Sequence, residues 1–152
     1  MVNDKNAIQS KLLADGTVEL QDPRGAARLV RLAPGVLLYV CSGVLGQSFH
    51  PPMVELAQRE VDQTGELVMF VDGWELRSVE TGFREAWTEW FKANRQHFQM
   101  RLLVRSKLMD MAASLANLFT GISVIKTFSN VASWEAACAV DHRGFRRIAK
   151  SA

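Results

Sequence analysis

Cys41, Ser42 and His50 are the nearest this chain comes to a nucleophile with a base beside it. Nucleophilic catalysis by such a pair needs a third group to orient the base and a turn that exposes the nucleophile. The segment has no evident third member and no glycine-flanked elbow, so an enzyme is not expected. His50, His97 and His142 lie far apart in the sequence, and no metal site or cofactor is expected from them. Gly43 and Gly46 are too few and wrongly spaced to cradle a nucleotide, which leaves residues 42–48 as an ordinary loop. Arg105, Ser106 and Lys107 put two cations and a hydroxyl at a predicted helix start, where free N–H groups already favour anions. A phosphate or lipid headgroup suits that position; a capped helix with solvated charges is the plainer reading. The densest group is Asp72, Gly73, Trp74, Ser78, Glu80, Thr81 and Gly82, between an apolar run and a Trp-rich amphipathic segment. These residue types suit recognition more than bond-making, with Trp74 as an anchor and two hydroxyls open to modification.

Elements of known periodicity must hold these residues. Residues 17–21 alternate in strand fashion, Asp22-Pro23-Arg24-Gly25 is turn chemistry, and residues 27–32 form a second short strand, which together predict a hairpin. Residues 36–40 are a continuous apolar run of β-formers, and so a buried strand. Pro51-Pro52 opens a helix to about residue 63, with Val54, Ala57 and Val61 on one face. Residues 67–71 are the next buried strand, and the loop after it carries the Asp72 to Gly82 group. Ser78 is the candidate N-cap, with Glu80 well placed for the positive end of the helix dipole. Phe83, Trp87, Trp90, Phe91 and Asn94 recur at helical spacing, so a crossover helix runs over residues 79–95. Residues 102–104 form a parallel strand. A Met-rich helix follows over residues 106–119, then a strand over 122–128 and a short helix carrying Val131, Trp134, Ala137 and Cys138 behind Ser129-Asn130. In such a sheet, partners and ligands meet the carboxyl ends of the strands, which draws attention to the Asp72 to Gly82 loop.

The chain has 152 residues, of which 48% are hydrophobic and 22% charged, the profile of one globular domain able to bury a core without staples. Cys41 and Cys138 sit in apolar runs and read as buried free thiols of a reducing cytosol. The first 16 residues lack the apolar stretch of a secretory signal, and no run approaches the length of a membrane span, so a cytoplasmic protein without an integral membrane segment is expected. The net charge is +2, and its basic part lies in residues 141–152, which hold three Arg and one Lys against one Asp. The body has no matching basic stripe, so that end is expected to be solvated and frayed, with no nucleic acid bound. The expected division is an N-terminal extension over residues 1–16, a domain over 17–140 and a basic tail over 141–152.

Three phrases carry a family resemblance. Gly35-Val-Leu-Leu-Tyr-Val-Cys-Ser-Gly43 is a strand opening on glycine, Leu67-Val-Met-Phe-Val-Asp72-Gly73 a strand ending in Asp, and Thr127-Phe-Ser-Asn-Val-Ala-Ser-Trp-Glu-Ala-Ala137 a final strand and helix. In this order and spacing, residues 28–140 resemble the STAS domain of bacterial anti-sigma factor antagonists of the SpoIIAA type, and the related SpoIIAA-like or STAS/SEC14 proteins. The resemblance implies a single α/β domain: a mostly parallel sheet, a short antiparallel N-terminal hairpin and about four helices packed on the sheet. It also implies a non-catalytic regulatory domain whose partner is a protein, in that family a kinase-like regulator. There, a Ser in an Asp-Ser-Ser-Gly turn is phosphorylated. The turn falls here on Val79-Glu80-Thr81-Gly82, with Thr81 in the acceptor place, Gly82 retained, and Val79 and Glu80 replacing the Asp and first Ser. Three readings stay open: a modified Thr81, a permanently acidic docking surface at Glu80, and plain helix-start residues with Thr81 at the surface. The alternative function is a lipid or small apolar ligand carrier of the SEC14-related kind. Its pocket would lie between the crossover helix and the Met-rich helix, whose apolar surface also suits a homodimer.

Overall fold

The structure, a computed structural model, describes residues 7–105 and 124–148. Its elements are β1 (Gln9–Leu12), β2 (Val18–Gln21), β3 (Gly25–Ala33), β4 (Val36–Leu45), α1 (His50–Thr64), β5 (Leu67–Val79), α2 (Thr81–Asn94), β6 (Phe98–Val104), β7 (Ile125–Phe128) and α3 (Val131–Asp141), with a 3-10 turn over Gln47–Phe49. The seven strands form one sheet in chain order. Pairings from β1 to β4 are antiparallel and those from β4 to β7 parallel, so the sheet is evenly mixed and not mostly parallel as expected. Short connections explain this, because antiparallel neighbours need only a tight turn whereas parallel ones need a crossover. Asp22 supplies one such turn: its Oδ1 accepts from the backbone N–H groups of Arg24 and Gly25, both at 2.8 Å. Strand β1 falls within the expected extension and adds an exposed edge to β2.

Three α-helices stand among the described residues, against about four expected; the one expected over residues 106–119 lies outside them. Pro51 and Pro52 occupy the first turn of α1, as their missing N–H groups predict. At the start of α3, Asn130 Oδ1 accepts from Ser133 N at 3.0 Å.

The largest departure is β5. The sequence suggests a strand over residues 67–71 and then a loop, yet the strand runs 13 residues to Val79. It continues because β4 continues beside it, pairing Ser42 with Glu75 and Leu45 with Val79 after register shifts near Val40/Ser42 and Gly43/Val44. At the second shift Gly43 has φ of 73°, and a Cβ there would sit 2.3 Å from the Arg24 carbonyl oxygen. Only glycine fits a backbone that is both left-handed and this crowded.

Side chains alternate across the sheet and build a core on each face. Leu37, Tyr39 and Cys41 of β4 and Leu67, Met69 and Val71 of β5 pack under α1 and α2, where Phe83, Trp87, Trp90 and Phe91 complete the larger cluster. Phe91 stacks on Phe98 with ring centroids 5.0 Å apart. Leu38, Phe70 and Leu103 face the other way, toward Trp134 and Cys138 of α3. Trp134 is fully buried and donates Nε1–H to the Arg101 carbonyl at 2.9 Å. Phe145 joins this second core, edge-on to Phe70 and Trp134 at 5.0 and 5.4 Å. The expectation of a frayed C-terminus therefore does not hold through residue 148: an aromatic and a paired arginine tie the segment down.

Candidate functional site

The residues predicted to share one loop are split by the extended strand. Asp72 lies mid-strand, buried on the α3 side, where it accepts from Arg147 Nε at 2.6 Å and from Trp74 N at 3.2 Å. The carboxylate raises the Arg147 guanidinium further above its already high value. Trp74 is half-buried on the same face, with the Arg105 guanidinium stacked 5.1 Å from its ring. Arg105 also approaches Glu75 at 3.7 Å. Ser106 and Lys107, the other two members of the expected anion site, lie outside the described residues. Gly73 is buried, and a Cβ on it would sit 2.8 Å from the Leu103 carbonyl oxygen. Asp72, Gly73 and Trp74 thus belong to the fold of the sheet and not to a loop.

Ser78, Glu80, Thr81 and Gly82 stay together at the start of α2. Ser78 is still in β5 and exposed, so it is not the cap; Glu80 holds the N-cap position in extended backbone, without a side-chain cap bond. The Glu80 carboxylate instead accepts from Arg24 Nη2 of the β2–β3 turn at 2.5 Å. Its backbone N–H donates to the Leu45 carbonyl at 3.0 Å, tying the α2 start to the end of β4. A Cβ on Gly46 would lie 2.2 Å from Glu80 Oε1, so the ion pair occupies the space where a side chain would be. The Gln47 side chain presses against Gly82, its Oε1 2.7 Å from where a Cβ would stand. Thr81 is exposed, and its hydroxyl has no hydrogen-bond partner among the described residues. Three connections therefore converge at the carboxyl ends of parallel strands β4 and β5: the Arg24 turn, the Gly46-Gln47 link and the Ser78 to Gly82 segment. Gly46 and Gln47 belong to the stretch 42–48 expected as a loop beside this turn, of which β4 takes the residues up to Leu45; Arg24 was not expected here, since nothing local joins position 24 to position 80.

Behind this corner, between α2 and the sheet, lies a cavity of about 100 Å³. Its walls include Met53, Met69, Met100, Phe83, Trp87 and Leu76, and Arg84 and Thr88 of α2 also border it. Tyr39 lines it too, but its hydroxyl is spent on the Met53 carbonyl at 2.6 Å.

This arrangement holds little chemistry of a nucleophilic kind. Burial, with the nearby Asp72 charge, pushes the Cys41 thiol up to about 12, and burial first among its causes pushes Cys138 up to about 12 as well. Such thiols carry almost no thiolate at neutral pH. Burial also holds His50 below its usual value; its imidazole packs edge-on to Trp87 at 5.0 Å and its buried Nε2 has no hydrogen-bond partner among the described residues. Among the described residues, no three His, Cys, Asp or Glu side chains are grouped as metal ligands.

No protein-family model matches the sequence, and no curated protein matches it. A solved structure does: an uncharacterized protein of the DUF3478 family with a SpoIIAA-like fold, from Shewanella loihica PV-4. The two superpose with a TM-score of 0.54 at 18% identity, over 72% of this chain and 90% of that one. The fold is SpoIIAA-like. The likeness at this identity is one of architecture, and within the SpoIIAA-like fold the corner at the start of α2 is the place where the sequence-predicted turn residues remain together. No described helix is long and apolar enough to cross a membrane.

Proposed function

We propose that the chain is a non-catalytic regulatory domain that recognises a protein partner at the corner built by Arg24, Gln47, Ser78, Glu80 and Thr81. One observation carries this reading: Thr81 stands exposed in the first turn of α2, beside an ion pair that links two separate connections. A phosphoryl group on Thr81 would add about −1.5 to −2 charges next to Glu80 and compete with it for Arg24. The corner would then change both its charge and its shape, which is what a recognition switch requires. The test is affinity capture from the native host with the wild-type chain and with Thr81→Glu. A partner recovered in stoichiometric amount by the first and lost by the second supports the proposal; equal recovery by both refutes it.

A second reading rests on the cavity. Its lining is apolar and adaptable, with three methionines, and the helix above it is the same α2 that starts at the corner. A small apolar ligand held there would make the chain a carrier. Native mass spectrometry after gentle extraction separates the readings: a co-purifying acyl compound favours the carrier, and a protein partner alone favours the regulator.

A further inference from the structure

Arg84 borders the cavity from α2, one turn beyond Glu80. Glu80 at i−4 is the natural intrahelical partner of such an arginine. Here that carboxylate is taken by Arg24, and Arg84 has no side-chain partner among the described residues. The other polar group at this border, Thr88, donates its hydroxyl to the Arg84 carbonyl at 2.8 Å. Among the described residues the exposed guanidinium is therefore an unpaired cation on a stem that lines an otherwise apolar space, the arrangement in which a long side chain covers apolar surface and keeps its charge in water.

We infer that the cavity takes a small anionic amphiphile, with a short hydrocarbon body among Met53, Met69, Met100, Phe83 and Trp87 and a carboxylate on Arg84. The inference rests on the carrier reading and adds the chemical class of its ligand. The size fits: an apolar cavity of about 150 Å³ admits benzene or xenon and stays dry without them, so about 100 Å³ suits a chain of a few carbons. Tyr39 offers no free hydroxyl inside, since it already donates to Met53. Selection for a polar end must then come from the border. Among the described residues of the border Arg84 is the one that attracts an anion, and a guanidinium gives a carboxylate a charge-assisted pair.

The experiment follows the methyl resonances of Met53, Met69 and Met100 while xenon, 1-pentanol and pentanoate are titrated separately at neutral pH. Xenon and 1-pentanol should both shift these resonances, and pentanoate should bind about tenfold more tightly than the alcohol. Arg84→Gln should abolish that preference and leave the binding of xenon and 1-pentanol unchanged. Equal affinity of the acid and the alcohol for the wild-type chain would overturn the anionic assignment and spare the carrier reading. Absence of shifts with all three probes would overturn the carrier reading itself.

Discussion

Glu60 is the clearest case of a single side chain holding distant parts together. It projects from α1, is 2% exposed, and accepts from Arg31 Nε and Nη2 at 2.9 and 3.0 Å and from Gly35 N at 2.7 Å. It thereby clamps the β3–β4 turn to the helix. Burial alone would raise its carboxyl, but the Arg31 hydrogen bond, the Gly35 N–H and the Arg31 charge outweigh burial and leave it below its ordinary 4.5. A depressed carboxyl contributes stability that is present above its unfolded value and lost as the pH falls through the folded one. Glu60→Gln should therefore cost about 2 kcal/mol at neutral pH by urea denaturation and flatten the loss of stability below pH 4.5. An unchanged acid limb in the variant would place that pH dependence elsewhere. Glu60 could be seen in the sequence only as a helix residue; its partners are 25 and 29 positions away.

Elements differ in how much of themselves they write into local sequence. The buried stripe of α2, the proline start of α1, the Asn130 cap and the β2–β3 hairpin all follow from short-range pattern, and the structure has them where that pattern puts them. The second half of β5 does not. Asp72, Gly73 and Ser78 are turn-type residues, and they stay extended because β4 pairs with Asp72 and Ser78 and β6 with Asp72 and Gly73, ladders that no window of local sequence contains. Strand β1 was missed for another reason: it pairs with the adjacent β2, but its four residues are all exposed and carry no buried stripe. Two glycines test this distinction. Gly43→Ala forces a Cβ into the left-handed region against a backbone carbonyl and should destabilise the protein by about 2 kcal/mol or more. Gly82→Ala crowds the movable Oε1 and Cδ of Gln47, at 2.7 and 3.0 Å, touches its Cβ at an ordinary 3.4 Å and improves helix propensity, so its stability should stay within about 1 kcal/mol of wild type. Parallel thermal melts decide the matter, and equal losses in both variants would contradict it.

At the scale of the whole molecule the sheet has two differently finished faces. One is closed by α1 and α2 over an aromatic core, and the other by α3 and the C-terminal segment. That segment is anchored by Phe145 in the core and by Arg147, which neutralises Asp72 and donates its backbone N–H to Glu135 at 2.7 Å. Its basic composition suggested solvation, because no sequence pattern announces that one arginine meets a buried carboxylate 75 residues earlier. Arg147→Ala leaves Asp72 buried and uncompensated and should cost about 3 kcal/mol. Asp72→Asn in the same background should recover most of the loss; failure of the second change to help would show that the arginine acts through packing alone.

The candidate site was legible in part: the residues from Ser78 to Gly82 are exposed or half-buried at the start of α2, whereas Asp72, Gly73 and Trp74 serve the sheet and its α3 face. The central claim is that recognition takes place where the Arg24 turn, Gln47 and Thr81 converge. The most direct test is backbone hydrogen exchange of the protein alone and saturated with the captured partner. The account predicts new protection in residues 45–48 and 78–84. Protection confined to β1 or α3, with the corner exchanging as before, would contradict it.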